Sequence, residues 1–474
     1  MNKKLPLYHE RFRPQYHFTA PEGWLNDPNG LIFYRGEYHL FYQYNPHDIA
    51  WGAPYWGHAV SADMINWRHL PVALEPDELG SIFSGTIVAD DRNTSGLFGE
   101  EGGLVALFTH HADDGTEYQS LAYSADCGRS FTKYSGNPVI RGGRGPEWRD
   151  FRDPKVLRFG DEWLMITGGG TYRFFRSSNL LDWRFVSDMA VFEEFPDLFK
   201  LGDQWILNVN GYGYYAGVLT ARGFTPTQGI RPEDFANSWQ ACYSYENMPD
   251  NRCVWLAWMR DAAKGPTDPW RCNMSIPREL TAVNEAGETH ICQQPVKEVE
   301  TLRTSCTAFS DMPIEACDLS AVRGQCLDIE VDFEIRCDTP FGIRCMEKDG
   351  RYAEIGCRPG ENLIYADTRL ASAEEFDAVA TMFPPVMSAI GNQTRVLAKL
   401  HTTFRKASKR LRMRILLDVS VIEVFFDDGQ AVCSLNVYPD EQADGVSLFG
   451  EGQMIHSLRI HRMKSIWTEN SKCP

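Results

Sequence analysis

Trp24-Leu25-Asn26-Asp27-Pro28-Asn29-Gly30 decides the reading of this chain because its pattern returns twice, as Phe151-Arg152-Asp153-Pro154-Lys155 and as Glu194-Phe195-Pro196-Asp197. Each stretch places a carboxylate beside a proline. Seven to nine residues beyond Asp27, Asp153 and Glu194 come Gly36-Glu37-Tyr38-His39-Leu40, Gly160-Asp161-Glu162-Trp163-Leu164 and Gly202-Asp203-Gln204-Trp205-Ile206. A glycine and an acid between two apolar, strand-like runs signal a hairpin turn. Each acid is therefore expected on, or just before, the first strand of a similar hairpin.

A second repeat supports the first. Ser61-Ala62-Asp63-Met64-Ile65-Asn66-Trp67 aligns without gaps on Ser177-Ser178-Asn179-Leu180-Leu181-Asp182-Trp183, and Ser124-Ala125-Asp126-Cys127-Gly128-Arg129-Ser130-Phe131 matches with one extra residue. The final aromatics lie 64 and 52 residues apart, a period suited to four-stranded propeller blades with long loops. In a propeller the innermost strands face one axial funnel, so acids at equivalent positions converge though distant in sequence. Converging carboxylates repel and desolvate one another, a cost that points to function. A single Asn-Asp-Pro-Asn-Gly is more often only a turn; three in register favour a site.

The chain has 474 residues, 43% of them hydrophobic, enough for two domains with separate cores. A net charge of −17 and a pI near 5.2 argue against nucleic acid and anionic membrane surfaces, and favour an uncharged ligand. The start, with Lys3 and Lys4 but no apolar core, does not resemble a secretion signal, and no apolar run reaches 18 residues. Thirteen cysteines without Cys-x-x-Cys spacing read as reduced thiols of a cytoplasmic protein rather than a disulfide framework or a zinc site.

Strand-like runs at 31–34, 39–44, 104–108 and 205–209 alternate with Gly, Asn, Asp and Pro turns, and long helical periodicity is absent. Residues 1–300 form the expected catalytic domain. Beyond it, runs at 327–335, 412–417, 421–426 and 432–437, with Asp427-Asp428-Gly429 as a tight turn, predict a second all-β unit over 312–474, most simply a sandwich. It carries no comparable set of acids and is read as structural.

These residues resemble glycoside hydrolase family 32, the β-fructosidases, which include invertases, levanases, exo-inulinases and sucrose-6-phosphate hydrolases. The resemblance covers nearly the whole chain. It rests on the three acidic stretches and on Phe41-Tyr42-Gln43-Tyr44-Asn45-Pro46, Trp56-Gly57-His58-Ala59, Phe83-Ser84-Gly85-Thr86, Ser275-Ile276-Pro277-Arg278-Glu279-Leu280 and Leu417-Asp418-Val419-Ser420-Val421-Ile422-Glu423-Val424-Phe425. It implies an all-β fold, a five-bladed propeller followed by a β-sandwich, and a retaining mechanism without a cofactor or metal. By motif, Asp27 corresponds to the nucleophile, Glu194 to the general acid/base and Asp153 to the transition-state stabiliser.

Such chemistry needs one ionised and one protonated carboxyl, so their pKa values must separate. The amides of Asn26 and Asn29 are candidates to stabilise an ionised Asp27, and Glu193 or Phe195 to raise Glu194. The motifs also imply that Asn26, Gln43, Trp51, Phe83, Ser84 and Arg152 line the fructose subsite, with Trp270 a weaker candidate. For Trp51 and Phe83, core packing is the competing reading. His58 reads as a structural hydrogen-bonder. One departure stands beside the acid/base: the family usually has cysteine where this chain has Phe195, which puts the acid's surroundings in question.

The leading expectation is an exo-acting β-fructofuranosidase that takes a small carbohydrate and binds neither nucleic acid nor membrane. Sucrose-6-phosphate hydrolysis, fructosyl transfer and a catalytically weakened fructan binder are the alternatives. The oligomeric state is not readable from the residues.

Overall fold

The computed structural model describes residues 7–142, 148, 150–236, 238–261, 265–372, 395–399 and 409–467. Strands dominate throughout. Five antiparallel meanders follow one another along the first part of the chain. Their first strands are Gly23–Tyr34, Ser81–Ala89, Phe151–Phe159, Pro196–Leu201 and Trp239–Ser244. These strands contact one another cyclically, each meeting the next and the fifth returning to the first. An apolar layer fills every gap in the ring. Ile32 and Trp56 pack with Ile87 and Phe108, Leu107 with Val156 and Phe175, Ile166 with Leu198 and Leu207, Phe199 with Trp255, and Leu256 with Leu25 and Leu40. Such closure is a five-bladed propeller. It is fastened by a short strand inserted between the second and third strands of the fifth blade, where Trp270 pairs in parallel with Gly23 and Arg271 with Trp24.

The repeats of the sequence have a physical origin in this frame. Two-residue turns join the first and second strands of three blades: Tyr34 pairs with Glu37, Phe159 with Glu162, and Leu201 with Gln204. Gly36, Gly160 and Gly202 supply the positive φ that such turns require. In the first blade the turn is Arg35-Gly36, one residue earlier than the Gly-acid pattern predicts, because Arg35 also takes a positive φ. The second repeat joins third to fourth strands. There Asp63 accepts from the backbone N–H groups of Ile65 and Asn66, Asn179 from those of Leu181 and Asp182, and Asp126 from that of Ser130. These side chains mimic a backbone turn.

The 3₁₀ turn Lys297–Leu302 leads into the second unit, a six-stranded sheet facing a five-stranded one. Leu327, Phe333, Ile343, Ile355, Ile415 and Val424 fill the space between them. Strand Arg303–Pro313, most of which the sequence reading assigned to neither domain, pairs with Met454–Met463 at the edge of the six-stranded sheet.

The two units are joined by buried charge. Asp418 accepts backbone N–H bonds from Gln15, Tyr16 and His17 at 2.6, 2.8 and 2.9 Å, and its Oδ2 lies 2.8 Å from Nδ1 of His17. The other ring nitrogen of His17 lies 3.1 Å from Glu423, which also receives Ile276 N–H and Arg278. Arg278 reaches Asp234 at 3.3 Å as well. The side chains of His17, Asp418, Glu423, Arg278 and Asp234 are all fully buried. The motifs around Arg278 and Asp418 thus serve the interface between the domains.

Candidate active site

At the axial end of the inner strands the β-ladders slip by one residue. The extra residues are Asn26-Asp27 in the first blade, Phe83-Ser84 in the second, Asp153-Pro154 in the third and Ala241-Cys242 in the fifth. A bulge bends its strand and re-aims the extra side chain, so four blades turn their residues at equivalent places. Asp153 has φ +56° and Ala241 φ +50°; in the fourth blade Phe195, next to Glu194, has φ +53°. For a bulky residue such a conformation is strained and persists only where the surroundings impose it.

Asp27, half-buried, accepts a 2.7 Å hydrogen bond from Ser84 Oγ. Burial pushes its carboxyl up to about 6; the Ser84 bond opposes this, the nearby charge of Glu194 adds to it, and Asn26 opposes it. The Asn26 amide does favour the ionised form of Asp27, as expected, but desolvation outweighs it, and Asn29 does not take part. Asn29 instead donates to the backbone carbonyl of Asp27 at 3.3 Å and accepts from Gly85 N–H at 3.1 Å, a structural brace between two blades.

Asp153 is buried, and its carboxyl is held well above the usual carboxylate range. Burial is the main cause, with the charges of Glu194, Asp27 and Glu117 adding and Arg152 opposing. Its N–H donates to Thr109 Oγ1 at 3.1 Å, and Thr109 donates in turn to Gln119 at 2.9 Å. Its Oδ2 receives Phe195 N–H at 3.2 Å. Glu194 lies against Arg152, with Nε 3.3 Å from Oε2. Gly168 makes room for the acid's backbone, since a Cβ there would lie 2.9 Å from the Glu194 Cα.

The mutual influence of the three carboxyls places Asp27, Asp153 and Glu194 together. Asp197 is not among them: it forms a fully buried ion pair with Lys155 at 2.9 Å and accepts from Ser244 N–H at 2.8 Å. The Phe195 ring faces the interior, 5.4 Å from the ring of Tyr243 in the core shared with Ala241. Only its backbone reaches the acids.

Around the acids, Gln43 donates to the Ile82 carbonyl at 2.9 Å and supports the second-blade bulge. Phe83 stacks on His111 at 4.4 Å and meets Trp51 edge-on at 6.1 Å, while Trp51 is 39% exposed. Trp51 thus presents an open aromatic face. Trp270 does not: it is 2% exposed, packed with Phe12 and Tyr438 and covered by the Arg13 guanidinium at 4.7 Å, so its ring has no free face for a sugar. His58, buried and 3.1 Å from His39, is a core hydrogen-bonder.

Sequence reasoning missed Glu117, Thr109 and Gln119. Their one signal was polar residues at the strand period of otherwise apolar runs in the second blade. Glu117 accepts from Phe151 N–H at 2.6 Å and binds Arg152 Nη1 through both oxygens, at 3.0 and 3.2 Å. Three carboxyls with unlike environments, one beside an arginine and two displaced upward, form a set able to hold one proton and one charge side by side.

The model for the glycosyl hydrolases family 32 N-terminal domain matches residues 17–295, and that for the family 32 C-terminal domain matches 298–463. The chain is 35% identical to a levanase of Bacillus subtilis over 97% of its own length and 72% of the levanase. It is 28% identical to an extracellular exo-inulinase of Aspergillus niger, over 97% of this chain and 96% of that protein. It spans only 53% of a second levanase, from Bacillus sp. L7, at 33% identity. The crystal structure of Aspergillus awamori exo-inulinase superposes with a TM-score of 0.84 at 26% identity, covering 97% of this chain and all of that one. With both domain models matched along nearly its whole length, the chain belongs to glycosyl hydrolases family 32 and is a glycoside hydrolase.

Proposed function

We propose that the protein is a retaining exo-β-fructosidase that removes terminal non-reducing fructose from sucrose and from fructo-oligosaccharides or fructans. The observation that carries this reading is the meeting of Asp27, Asp153 and Glu194 at the axial ends of three inner strands, with strained backbone at Asp153 and at Phe195 beside Glu194. Asp27 attacks the anomeric carbon and forms a fructosyl ester. Glu194 gives its proton to the departing glycosidic oxygen, then takes one from the water that cleaves the ester. Asp153, fixed by Phe195 N–H, meets fructosyl hydroxyls. Arg152 orients Glu194, Ser84 orients Asp27, and Trp51 offers an apolar face to the sugar.

The relatives' names, levanase and exo-inulinase, support fructans as the substrate class. A cytoplasmic location belongs to the same proposal, supported by thirteen cysteines without paired spacing. Incubation with sucrose, sucrose-6-phosphate, 1-kestose, inulin and levan, followed by product analysis, tests the reading. Free fructose released one unit at a time is expected. Lengthened fructans would make the protein a transferase, hydrolysis confined to the phosphorylated sugar would move it to that substrate, and no product at all would leave a binder.

A further inference from the structure

Glu117 touches none of the three carboxyls in the hydrogen-bond network, yet it makes the closest contact to the cation beside Glu194. It lies on the third strand of the second blade, its side chain 2% exposed, and both oxygens are engaged. Oε2 receives Phe151 N–H at 2.6 Å, and both oxygens lie within 3.2 Å of Arg152 Nη1. His111 Nδ1 lies 3.2 Å from Oε1. Arg152 reaches Glu194 through Nε at 3.3 Å, a longer contact than either made to Glu117.

That order matters to a group that must carry a proton. An arginine beside a carboxylate favours its ionised form, by one to three pKa units at contact distance, which opposes the task of a general acid. A guanidinium already facing a buried carboxylate has much of its field cancelled. We infer that Glu117 is a positioning residue for the acid/base: it neutralises Arg152 so that Arg152 can hold Glu194 in place without stripping it of its proton. This inference rests on the reading of Glu194 as the acid.

The other charged and titratable groups around Glu194 do not substitute for Glu117. Asp27 and Asp153 face it from the first and third blades. Glu193 precedes it in the chain, and Tyr212 faces it from the fourth blade. Tyr172 donates to its backbone carbonyl at 3.2 Å. Asp150 takes Arg152 Nη1 at 3.1 Å, but its side chain is 56% exposed and water weakens its hold. Glu117 is the buried counter-charge.

The test is the pH profile of kcat/KM for Glu117→Gln, which keeps the shape and removes the charge. Its alkaline limb, which reports the acid in the free enzyme, should move about one unit toward acid. In an Arg152→Gln background the same change should move the limb much less, since the cation through which it acts is gone. A structural role alone would lower kcat and leave the limb in place, and that result, or a shift toward alkali, overturns the inference. If Glu117→Gln does not fold, Glu117→Asp withdraws the carboxylate from Nη1 and should shift the limb in the same direction; an unmoved limb there is equally fatal. Full turnover in Glu194→Ala would instead remove Glu194 as the acid, a separate failure.

Discussion

The hydroxyl of Ser84, on the inner strand of the second blade, donates a 2.7 Å hydrogen bond to Oδ2 of Asp27 on the first. Both residues occupy bulges at equivalent places in their blades. The bond joins two neighbouring blades and stabilises the ionised carboxylate, the form that attacks. It is the strongest force opposing the burial that lifts Asp27 to about 6.

Ser84→Ala removes that bond. Asp27 then rises further, so the acidic limb of kcat/KM should move to higher pH, by about one unit if the bond contributes the roughly 1.5 kcal/mol usual for a charged acceptor. Activity in the parent should fall as the pH drops through about 6, where Asp27 takes up its proton, and in the variant it should fall sooner. Steady-state kinetics from pH 4 to 8 measures the shift, and an unmoved limb would detach Ser84 from the nucleophile.

Asp27→Ala and Glu194→Ala should each lower kcat by at least about 10³-fold, roughly 4 kcal/mol of barrier, while the fold persists. Azide should partly rescue the Glu194 variant on a substrate with a good leaving group, where the first step needs no acid. The first-formed fructose, followed by NMR before mutarotation, should be the β anomer. Initial α-fructose would exclude Asp27 as a nucleophile.

Phe195→Cys leaves a hole against Tyr243 rather than a changed acid, because the ring is buried in the core. A loss of about 2–3 kcal/mol is expected, below the range for Phe→Ala because the sulfur fills part of the space. The alkaline limb of kcat/KM should stay where it is. Denaturant unfolding and a pH profile together decide the matter: unchanged stability with a displaced limb would place the side chain at the acid.

Glu423→Gln should cost about 3 kcal/mol, the low end for a broken buried pair, since it takes from Arg278 its closest carboxylate and leaves it Asp234, and leaves His17 only Asp418. Burial alone would push His17 down, but Asp418 and Glu423 overcome it and raise the imidazole to about 9. The stability it contributes is thus complete below about 6.5 and lost as the pH rises through about 9. Burial favours neutral Glu423, but Arg278, His17 and Ile276 N–H overcome it and hold the carboxyl at about 2, so its contribution is complete above about 4.5 and lost as the pH falls toward 2. Thermal unfolding across pH 3–10 should show both flanks, and His17→Gln should remove the alkaline one.

Local chemistry carried much of this structure. Gly36, Gly160 and Gly202 are legible as turns because few other residues take positive φ cheaply, and Asp63, Asn179 and Asp126 because their side chains bond the backbone two to four residues on. Those two signals, recurring at unequal intervals, pointed to a propeller and to equivalent positions for Asp27, Asp153 and Glu194, while the count of five blades came from the family resemblance. Ladder register and burial were not legible, since both depend on partners far away in the chain. Thus the bulges that aim the acids, the inward turn of the Phe195 ring, the enclosure of Trp270 by Arg13 and Phe12, and the recruitment of Glu117 to Arg152 across two blades emerged only in the tertiary structure. The displacement of Asp27 belongs with them. Desolvation is set by everything packed around a group, whereas its sequence neighbours supply only the hydrogen bonds that failed to outweigh it.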